Sequence, residues 1–211
     1  MKITKLGHCC LVVEEGGLRL LTDPGDHTTT QNEVRDIDIV LITHEHADHV
    51  HVPSLKTVLS HNPRAKVYTN RGVGELLKNE GIPYELLEHG QTASVSGVVI
   101  EGYGDRHAPI YPTVQDVINT GYFIAGRFFH PGDAFYDPGK PVEILALPVS
   151  APWLKIADAL EYAQKIKPKI CFPIHDGALK IIRAPHGLPA AVLPPLGIDF
   201  KVPELGVPME F

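Results

Sequence analysis

The sequence predicts an α/β fold in which two β-sheets pack face to face and helices cover their outer surfaces. Three observations support this architecture. Short apolar strand-like runs crowd the N-terminal part, strand–helix–strand units follow twice, and no Gly/Ser linker or charge run separates the halves. Each sheet has to bury its apolar face against another element, so such a pattern favours stacked layers. A chain of 211 residues is expected to form one domain spanning 1–211.

The first predicted elements are four strands. They cover Lys2–Leu6, Cys9–Val13, Leu18–Leu21 and Asp36–Ile42. The Glu14–Gly17 stretch suits a hairpin turn between the second strand and the third. The fourth run is rich in β-branched residues, as expected of a strand buried on both faces, and it leads directly into His44.

Two helices and a strand are predicted next. Pro53 is well placed in the first turn of a helix that runs to about His61. A strand covers Lys66–Thr69, and Asn70 then caps a second helix that ends near Gly81.

The second half repeats the strand–helix pattern. Strands are predicted at Val98–Tyr103, Gly121–Ala125, Phe128–His130, Val142–Val149 and Lys169–Ile174. Lys155–Lys167 is the clearest amphipathic helix, because its apolar residues recur at helical spacing on one side. The tail after Ala184 is rich in proline and is expected to be irregular except near Asp199–Val202.

Composition excludes several classes of protein. Apolar residues make up 44% and charged residues 21%, which is typical of a globular chain. A net charge of −6 disfavours a nucleic-acid or anionic-membrane surface. The apolar run at Cys9–Val13 is cut by Glu14 and Glu15, too soon for a signal or a transmembrane helix. Three cysteines cannot all pair within the chain, so we expect buried thiols and a cytoplasmic location.

The segment Thr43-His44-Glu45-His46-Ala47-Asp48-His49 concentrates three histidines and an aspartate directly after an apolar run. Imidazole nitrogens and carboxylate oxygens are common ligands of transition metals. His44 and His46 would point about 200° apart on a helix, so they converge only from an extended loop. The cluster predicts a metal centre with more ligands than one tetrahedral ion uses.

Three further candidates lie just beyond strand-like runs elsewhere in the chain. His107 follows Val98–Tyr103, Asp133 follows Phe128–His130, and His175 follows Lys169–Ile174. Strand ends of one sheet edge come together in space, so these side chains are candidates for the ligands that the cluster lacks.

The order of these motifs resembles the five-motif pattern of the metallo-β-lactamase superfamily, with Asp23 in Thr22-Asp23-Pro24-Gly25 as a further match. The resemblance implies a four-layer αββα sandwich with the metals at one edge of two mixed sheets. It also implies that His44, His46 and His107 hold one ion. Asp48, His49 and His175 would hold the other, Asp133 would bridge the two, and Asp23 would support the ligand loop. Gly7-His8-Cys9 and the short length are most similar to proteins related to ascorbate-6-phosphate lactonase.

The motif variant narrows the implied chemistry. Superfamily members with a redox di-iron pair usually carry Glu at the position of His46, and true β-lactamases usually lack a histidine at the position of His49. The pattern is therefore similar to the two-metal hydrolases, such as glyoxalase II, ribonuclease Z and the lactonases. Mixed nitrogen and oxygen ligands favour two Zn²⁺ ions, although Mn²⁺, Fe²⁺ or Ni²⁺ fit the same donors.

The implied reaction is hydrolysis of a small ester, lactone or phosphoester, with an anionic substrate expected. A metal-activated hydroxide would attack the substrate, Asp48 would orient it and accept its proton, and His8 would protonate the leaving group or bind an anionic substrate. The alternatives are a ribonuclease Z-like nuclease and a non-catalytic metal-containing binding protein. The acidic chain shows no basic surface for the former. Sequence leaves the oligomeric state open.

Three other features have competing interpretations. The segment 108–119 is a long loop and is a candidate lid over the site. Trp153 either lines the site or packs as a core aromatic. His130 is expected to be structural or to support a ligand, and His27 and His51 are left out of the ligand set.

Overall fold

The computed structural model describes residues 1–211 and contains two seven-stranded β-sheets. The strands of the first sheet, numbered in chain order, are β1 (Lys2–Gly7), β2 (Cys10–Glu15), β3 (Leu18–Thr22), β4 (Ile39–Ile42), β5 (Lys66–Thr69), β6 (Glu85–Leu86) and β14 (Pro208–Glu210). Their spatial order is β14-β1-β2-β3-β4-β5-β6. The sheet is mixed: β14 to β3 pair antiparallel, whereas β3 to β6 pair parallel.

The second sheet mirrors this arrangement. Its strands are β7 (Thr92–Val95), β8 (Val98–Tyr103), β9 (Gly121–Ile124), β10 (Phe128–His130), β11 (Ile144–Pro148), β12 (Ile170–Ile174) and β13 (Asp199–Phe200). Their spatial order is β13-β12-β11-β10-β9-β8-β7. Here β7 to β10 pair antiparallel, whereas β10 to β13 pair parallel.

Four helices cover the sheets, namely α1 (Val52–His61), α2 (Arg71–Asn79), α3 (Ile156–Ile166) and α4 (Arg183–Val192). One apolar cluster fills the space between the sheets, with Leu41 and Phe172 among its members. A second cluster packs α1 and α2 on the first sheet, and a third packs α3 on the second sheet. The predicted αββα sandwich is confirmed, because each sheet has one face on the other sheet and one face under helices.

The parallel parts of the two sheets position the site. Asp23 and His44 follow the carboxyl ends of the neighbouring parallel strands β3 and β4. In the second sheet Asp133 and His175 follow β10 and β12, which both pair parallel with β11. Carboxyl ends of parallel strands meet at one edge, so side chains from distant parts of the sequence are gathered there.

Most predicted elements are present within a few residues, but the prediction for the tail is wrong. The tail contains α4, although Pro185 and Pro189 were expected to keep it irregular. Pro185 lies in the first turn, where an N–H has no intrahelical acceptor, so proline costs little there. Pro189 is buried and α4 packs against α3, so tertiary packing compensates for the missing bond.

Three short strands were not predicted, because each is recognisable only through its partner. β6 and β14 form the two ends of the first sheet and β7 forms an end of the second. Edge strands of two to four residues carry too little periodicity to be read from sequence. The fourth predicted strand is shorter than expected and begins at Ile39 rather than Asp36.

The three cysteines are buried free thiols, as predicted. None of the helices combines the length and the apolar composition that crossing a membrane requires.

Candidate metal centre

The predicted ligand segment forms a turn at the end of β4. The backbone N–H groups of His49 and Val50 both donate to the carbonyl of His46, each at 2.9 Å. This tight turn brings His44, His46, Asp48 and His49 to one side of the strand end, so they converge from irregular backbone, as expected.

The structure brings all seven predicted ligands together. Asp133 is grouped with His49 and Cys9, and the donor atoms of the other six fall into two groups that could each hold an ion. We call them the His44 set, which consists of His44, His46 and His107, and the Asp48 set, which consists of Asp48, His49 and His175. His8 lies in the same group as the Asp48 set.

Asp133 lies between the two sets. Its Oδ2 is 2.9 Å from Nε2 of His175 and 3.4 Å from Nε2 of His107. Its Oδ1 is 3.1 Å from Nε2 of His49. One carboxylate therefore contacts a member of the His44 set and two members of the Asp48 set, which is the placement that a bridging ligand requires.

Unpartnered atoms test whether this site fits a metal. Buried polar atoms are normally hydrogen-bonded, and an unpaired one costs stability. Four buried side-chain atoms of the site lack any hydrogen-bond partner: Nε2 of His49, His107 and His175, and Oδ1 of Asp133. His107 belongs to the His44 set, His49 and His175 belong to the Asp48 set, and Asp133 lies between them, so cations held by the two sets would satisfy these atoms.

Hydrogen bonds made by the Nδ1 atoms of these rings determine which ring nitrogen is free to bind a metal. Nδ1 of His49 donates to Oδ2 of Asp23 at 2.8 Å, and Nδ1 of His107 and of His175 donates to the carbonyls of Ala108 and Ser150. A nitrogen that donates carries the proton, so in the neutral ring each Nε2 keeps its lone pair for a metal. In the His44 set, Nε2 of His44 and Nδ1 of His46 face each other at 3.1 Å.

Asp23 is a fully buried anchor for the ligand turn, in the position predicted for a supporting carboxylate. Besides His49 Nδ1, it accepts hydrogen bonds from the backbone N–H of Thr43 at 2.8 Å and from the Thr43 hydroxyl at 2.9 Å. Oγ1 of Thr43 lies 3.1 Å from Nδ1 of His44 and can accept a hydrogen bond from it. Asp23 thus orients one imidazole of each set, directly or through Thr43.

Backbone strain is concentrated around the same site. Seven residues other than glycine have positive φ, and three of them are His8 (51°), Asp23 (40°) and His175 (61°). Such conformations cost about 1–3 kcal/mol each and persist where surrounding contacts enforce them. The close packing is also visible at Gly25, where an added Cβ would lie 1.8 Å from the carbonyl oxygen of Asp48.

Asn119 supports the site but was not predicted. It is fully buried, its amide donates to the carbonyl of Pro131 at 2.8 Å, and its Oδ1 accepts from the backbone N–H of Asp133 at 2.9 Å. Gly132 has φ of +63°, and an added Cβ there would meet Asn119 Oδ1 at 2.2 Å. A buried asparagine between a loop and a strand gives no signal in the sequence, because its partners lie more than ten residues away.

Trp153 lies at the site, one of its two predicted alternatives. Its indole Nε1 donates a hydrogen bond to Oδ2 of Asp133 at 2.8 Å. Its ring centroid is 6.0 Å from that of His107 and 5.1 Å from that of Phe135. It therefore holds one oxygen of the central carboxylate while the other, Oδ1, stays without a partner.

The charges of the two sets differ. Burial lowers the pKa of His44 well below its usual value, and burial also lowers that of His46. Burial also acts to lower the pKa of His49, but the negative charges around the ring, led by Asp133, together outweigh burial and hold the pKa well above its usual value. For His175, the carboxylates of Asp133 and Asp48, at 2.9 Å and 3.4 Å from Nε2, together outweigh burial and raise the pKa to about 11. The Asp48 set thus attracts positive charge strongly, whether as protons or as a metal.

The two carboxylates are the source of this attraction. Burial raises the pKa of Asp133, but the positive charge of His49 and the adjacent imidazoles of His107 and His175 hold it well below its usual value. For Asp48, hydrogen bonds from His175 and His8 likewise outweigh burial and lower the pKa. Both carboxylates are therefore ionised at neutral pH.

His8 contacts Asp48 rather than offering a lone pair. Its Nδ1 accepts the backbone N–H of Gly177 at 3.0 Å, so the neutral ring carries its proton on Nε2, which lies 3.1 Å from Oδ2 of Asp48. Burial lowers the pKa of His8 to about 4. A neutral ring is a poor anchor for an anionic substrate, and a role as proton donor stays a prediction.

Cys9 is the remaining metal-binding side chain nearby. Its sulfur lies close to His49 and Asp133, but burial raises the pKa of the thiol. A thiol binds metal as the thiolate, so a raised pKa opposes ligation and Cys9 stays outside both sets.

The other features named from sequence lie around this centre. His130 is fully buried and its Nδ1 accepts from the backbone N–H of Gly132 at 3.2 Å, so it supports the turn before Asp133. The segment 108–119 has no regular secondary structure, and its ends attach to the site through His107 N–H to Val117 O and Ala108 N–H to Asp133 O. Its role as a lid stays a prediction.

Comparison with known proteins identifies the family. The family model described as "Beta-lactamase superfamily domain" matches residues 2–175. This chain belongs to that superfamily. Protein Rv0786c of Mycobacterium tuberculosis is 35% identical over 181 residues, which cover 83% of this chain and 84% of that protein. The UPF0173 metal-dependent hydrolase MJ1163 of Methanocaldococcus jannaschii is 27% identical, and the match covers 99% of each chain.

A solved structure shows the same fold. YhfI from Bacillus subtilis, a metallo-β-lactamase fold protein, superposes with a TM-score of 0.77 over 100% of this chain and 98% of its own, with 13% identity. The superfamily and the metal-dependent hydrolase class predicted from the sequence are confirmed at this level. The narrower likeness to ascorbate-6-phosphate lactonase, the zinc pair, the anionic substrate and the cytoplasmic location stay predictions.

Proposed function

We propose that this protein is a dinuclear metal-dependent hydrolase, with Zn²⁺ as its native metal, that cleaves a small ester, lactone or phosphoester. The observation that carries the proposal is the convergence of four unpartnered, buried ligand atoms between the His44 set and the Asp48 set. Three imidazole nitrogens that are unprotonated in the neutral rings and one free carboxylate oxygen form a donor group that suits Zn²⁺.

Each set would hold one ion, and Asp133 would contact both. The pair would supply Lewis acidity toward a carbonyl or phosphoryl oxygen and lower the pKa of a water toward about 7. The hydrogen bonds that the Nδ1–H groups of the rings donate to Asp23, Ala108 and Ser150 keep the imidazoles in the required tautomer. These supports make the site rigid before any substrate arrives.

Asp48 is the residue best placed to handle protons. It is partly exposed, ionised at neutral pH, and its Oδ2 faces His8 and His175. As a carboxylate held by two imidazoles, it would orient an attacking water and pass its proton onward rather than retain it. His8 holds Asp48 in this orientation by donating through Nε2.

Metal analysis and a hydrolysis panel test the proposal. Protein purified without added chelator is expected to contain about two divalent ions per chain, with zinc predominant. Lactones, thioesters, carboxylic esters and phosphodiesters are then assayed after reconstitution with zinc, manganese, iron and nickel. Turnover of at least one class, abolished by the His46→Ala substitution, is the expected result.

Two outcomes would contradict the proposal. Stoichiometric metal without hydrolysis of any class, under any metal, would favour a metal-containing binding protein. Cleavage of structured RNA in preference to the small substrates would favour a nuclease, which the net charge of −6 disfavours.

A further inference from the structure

A cavity of about 370 Å³ lies behind His8, which forms part of its wall. We call it the His8 cavity. It is bounded by Gly7 and His8, by the segment 27–30, by the segment 176–186 and by the segment 202–205. Nε2 of His8 is 3.1 Å from Oδ2 of Asp48, and the His8 and His175 ring centroids are 4.2 Å apart. One side chain therefore separates the cavity from the Asp48 set.

The charged groups of the cavity wall neutralise one another. Nζ of Lys5, whose side chain is 3% exposed, lies 2.6 Å from Oδ1 of Asp176 and donates to the carbonyl of Pro173 at 2.8 Å. Oδ2 of Asp176 lies 2.7 Å from Nε2 of His186. Lys5 is the only lysine or arginine that lines the cavity, and it is committed to this buried network. None of the residues that line the cavity is a lysine or arginine left unpaired to bind a phosphate or a carboxylate.

Two further polar side chains of the wall, His27 and Thr28, also bond within the protein. Nδ1 of His27 lies 2.7 Å from Oδ1 of Asp26. The hydroxyl of Thr28 donates to the carbonyl of Leu6 at 3.3 Å and accepts the backbone N–H of Thr30 at 3.2 Å. Because these groups already form hydrogen bonds within the protein, a ligand in the cavity would contact the wall but would form few hydrogen bonds with it.

Exposed apolar side chains form the mouth of the His8 cavity. Ile182 is 46% exposed, Val202 is 50% exposed and Leu205 is 61% exposed. Large apolar side chains that are grouped around a cavity, rather than scattered singly, indicate a binding site for apolar ligand groups. The volume falls within the range of about 300–1,000 Å³ that is typical of small-molecule pockets.

We propose that the His8 cavity binds an uncharged, apolar group of the substrate, so that the natural substrate is an acyl or alkyl ester, thioester or lactone and not a phosphorylated compound. This inference rests on the proposed hydrolase function and narrows its substrate class. It also replaces the expectation of an anionic substrate, because the one cation of the wall is already paired with Asp176.

A chain-length series tests the specificity. Zinc-loaded protein is assayed with p-nitrophenyl esters from acetate to octanoate and with the mono-p-nitrophenyl ester of adipate, which matches the hexanoate ester in length but ends in a carboxylate. We expect kcat/KM to rise about two- to fourfold per added CH₂ until the cavity is filled. The adipate ester should react at least about tenfold more slowly than the hexanoate ester, because its charge would be buried without a partner.

Two substitutions at the mouth localise the effect. Ile182→Asp and Leu205→Asp place a charge on two different segments of the cavity wall and should flatten the chain-length dependence. Leu196→Asp is the matched control, since Leu196 is 54% exposed and does not line the cavity. An unchanged slope in both mouth variants, or a slope lost equally in the control, would overturn the proposal.

A binding measurement separates this inference from the hydrolase proposal. N-octylacetamide is uncharged and lacks an ester, so its binding to the zinc-loaded protein is followed by calorimetry without turnover. Binding that is lost in Ile182→Asp and Leu205→Asp but kept in Leu196→Asp supports the apolar site even if no ester is hydrolysed. Hydrolysis of esters with no chain-length dependence and no amide binding would refute the apolar site and leave the hydrolase intact.

Discussion

The His44 set and the Asp48 set lie side by side but differ in charge. The His44 set contains imidazoles only, and burial lowers the pKa of His44 and of His46, so these two rings are neutral at neutral pH. The Asp48 set contains a carboxylate, and the carboxylates Asp48 and Asp133 raise the pKa of His175 to about 11. In the metal-free protein His49 and His175 therefore hold protons that His44 and His46 do not.

This difference in charge predicts how each of the two sets would bind a metal ion. A metal ligand has to be deprotonated, so binding at the Asp48 set has to displace protons, whereas binding at the His44 set displaces few. The carboxylates compensate by attracting the cation more strongly. Burial thus keeps the His44 set neutral and ready to bind a cation. In the Asp48 set, negative charge attracts the cation.

The largest expected effect comes from removing the residue that joins the two sets. Asp133→Asn would retain size but lose the charge that faces His49, His107 and His175. Metal content should fall well below one ion per chain, and kcat/KM should fall by about three orders of magnitude or more. Elemental analysis and steady-state kinetics measure both. Asp199→Asn, at a surface position, is the control, and two retained ions in Asp133→Asn would show that the sets are independent.

The next effect distinguishes the sets from each other. His46→Ala and His175→Ala each remove one ligand, from the His44 set and the Asp48 set respectively, and each is expected to lose one ion and nearly all turnover. The remaining ion should differ between the variants: proton release on its binding should be near zero in His175→Ala and about one proton or more in His46→Ala. Calorimetry in buffers of different ionisation enthalpy measures this release, and equal release in both variants would contradict the charge difference.

Trp153→Phe is expected to have a moderate effect. The substitution keeps an aromatic ring but removes the hydrogen bond from Nε1 to Oδ2 of Asp133. Loss of such a supporting bond should weaken metal binding about 10- to 100-fold, as measured by competition with a chelator. Tyr111→Phe, on the exposed loop, should leave the affinity unchanged.

The same residue provides a direct signal. Trp153 is the only tryptophan in the chain, so the intrinsic fluorescence of the native protein reports on Asp133. Adding metal to metal-free protein should change the emission, and the change should vanish in Asp133→Asn. Emission that is insensitive to metal in the native protein would argue against the Trp153–Asp133 contact.

The smallest expected effect is the pH dependence of the metal-free protein. A raised pKa in the folded state contributes stability below the unfolded value of 6.5, and this stability is lost as the pH rises toward about 11 for His175. A lowered pKa acts in the opposite direction, so neutral His8, with a pKa of about 4, costs stability as the pH falls below 6.5.

The metal-free protein should therefore be most stable near pH 6.5, with Tm falling by a few degrees on either side, since about 1 kcal/mol shifts Tm by 2–4 °C in a chain of this size. Thermal scans of chelator-treated protein between pH 4 and 9 measure the profile. His175→Asn should flatten the limb above pH 6.5. A Tm that rises steadily through pH 9 would contradict the pKa assignment.

The sequence was informative wherever the signal was local. The dense run from His44 to His49, the buried strand before it and the order of Asp23, His107, Asp133 and His175 predicted the family, the layers and the gathering of the candidate ligands. One sequence is enough to recognise the strands and the His44–His49 run, because strand patterning and ligand spacing depend on a few neighbouring residues. The helix α4 and the three short edge strands were missed, because packing against α3 and pairing with a neighbour stabilise them more than their own residues do.

Only the tertiary structure decided how the centre is supported. The indole of Trp153, the amide of Asn119 and the N–H of Gly177 each meet a site residue that is at least ten positions distant, and no periodicity marks such meetings. The neutral character of the His8 cavity has the same origin, since Lys5 meets Asp176 across most of the chain. Residue types and their local spacing specified the chemistry, whereas long-range hydrogen bonds specified which atoms remain free to perform it.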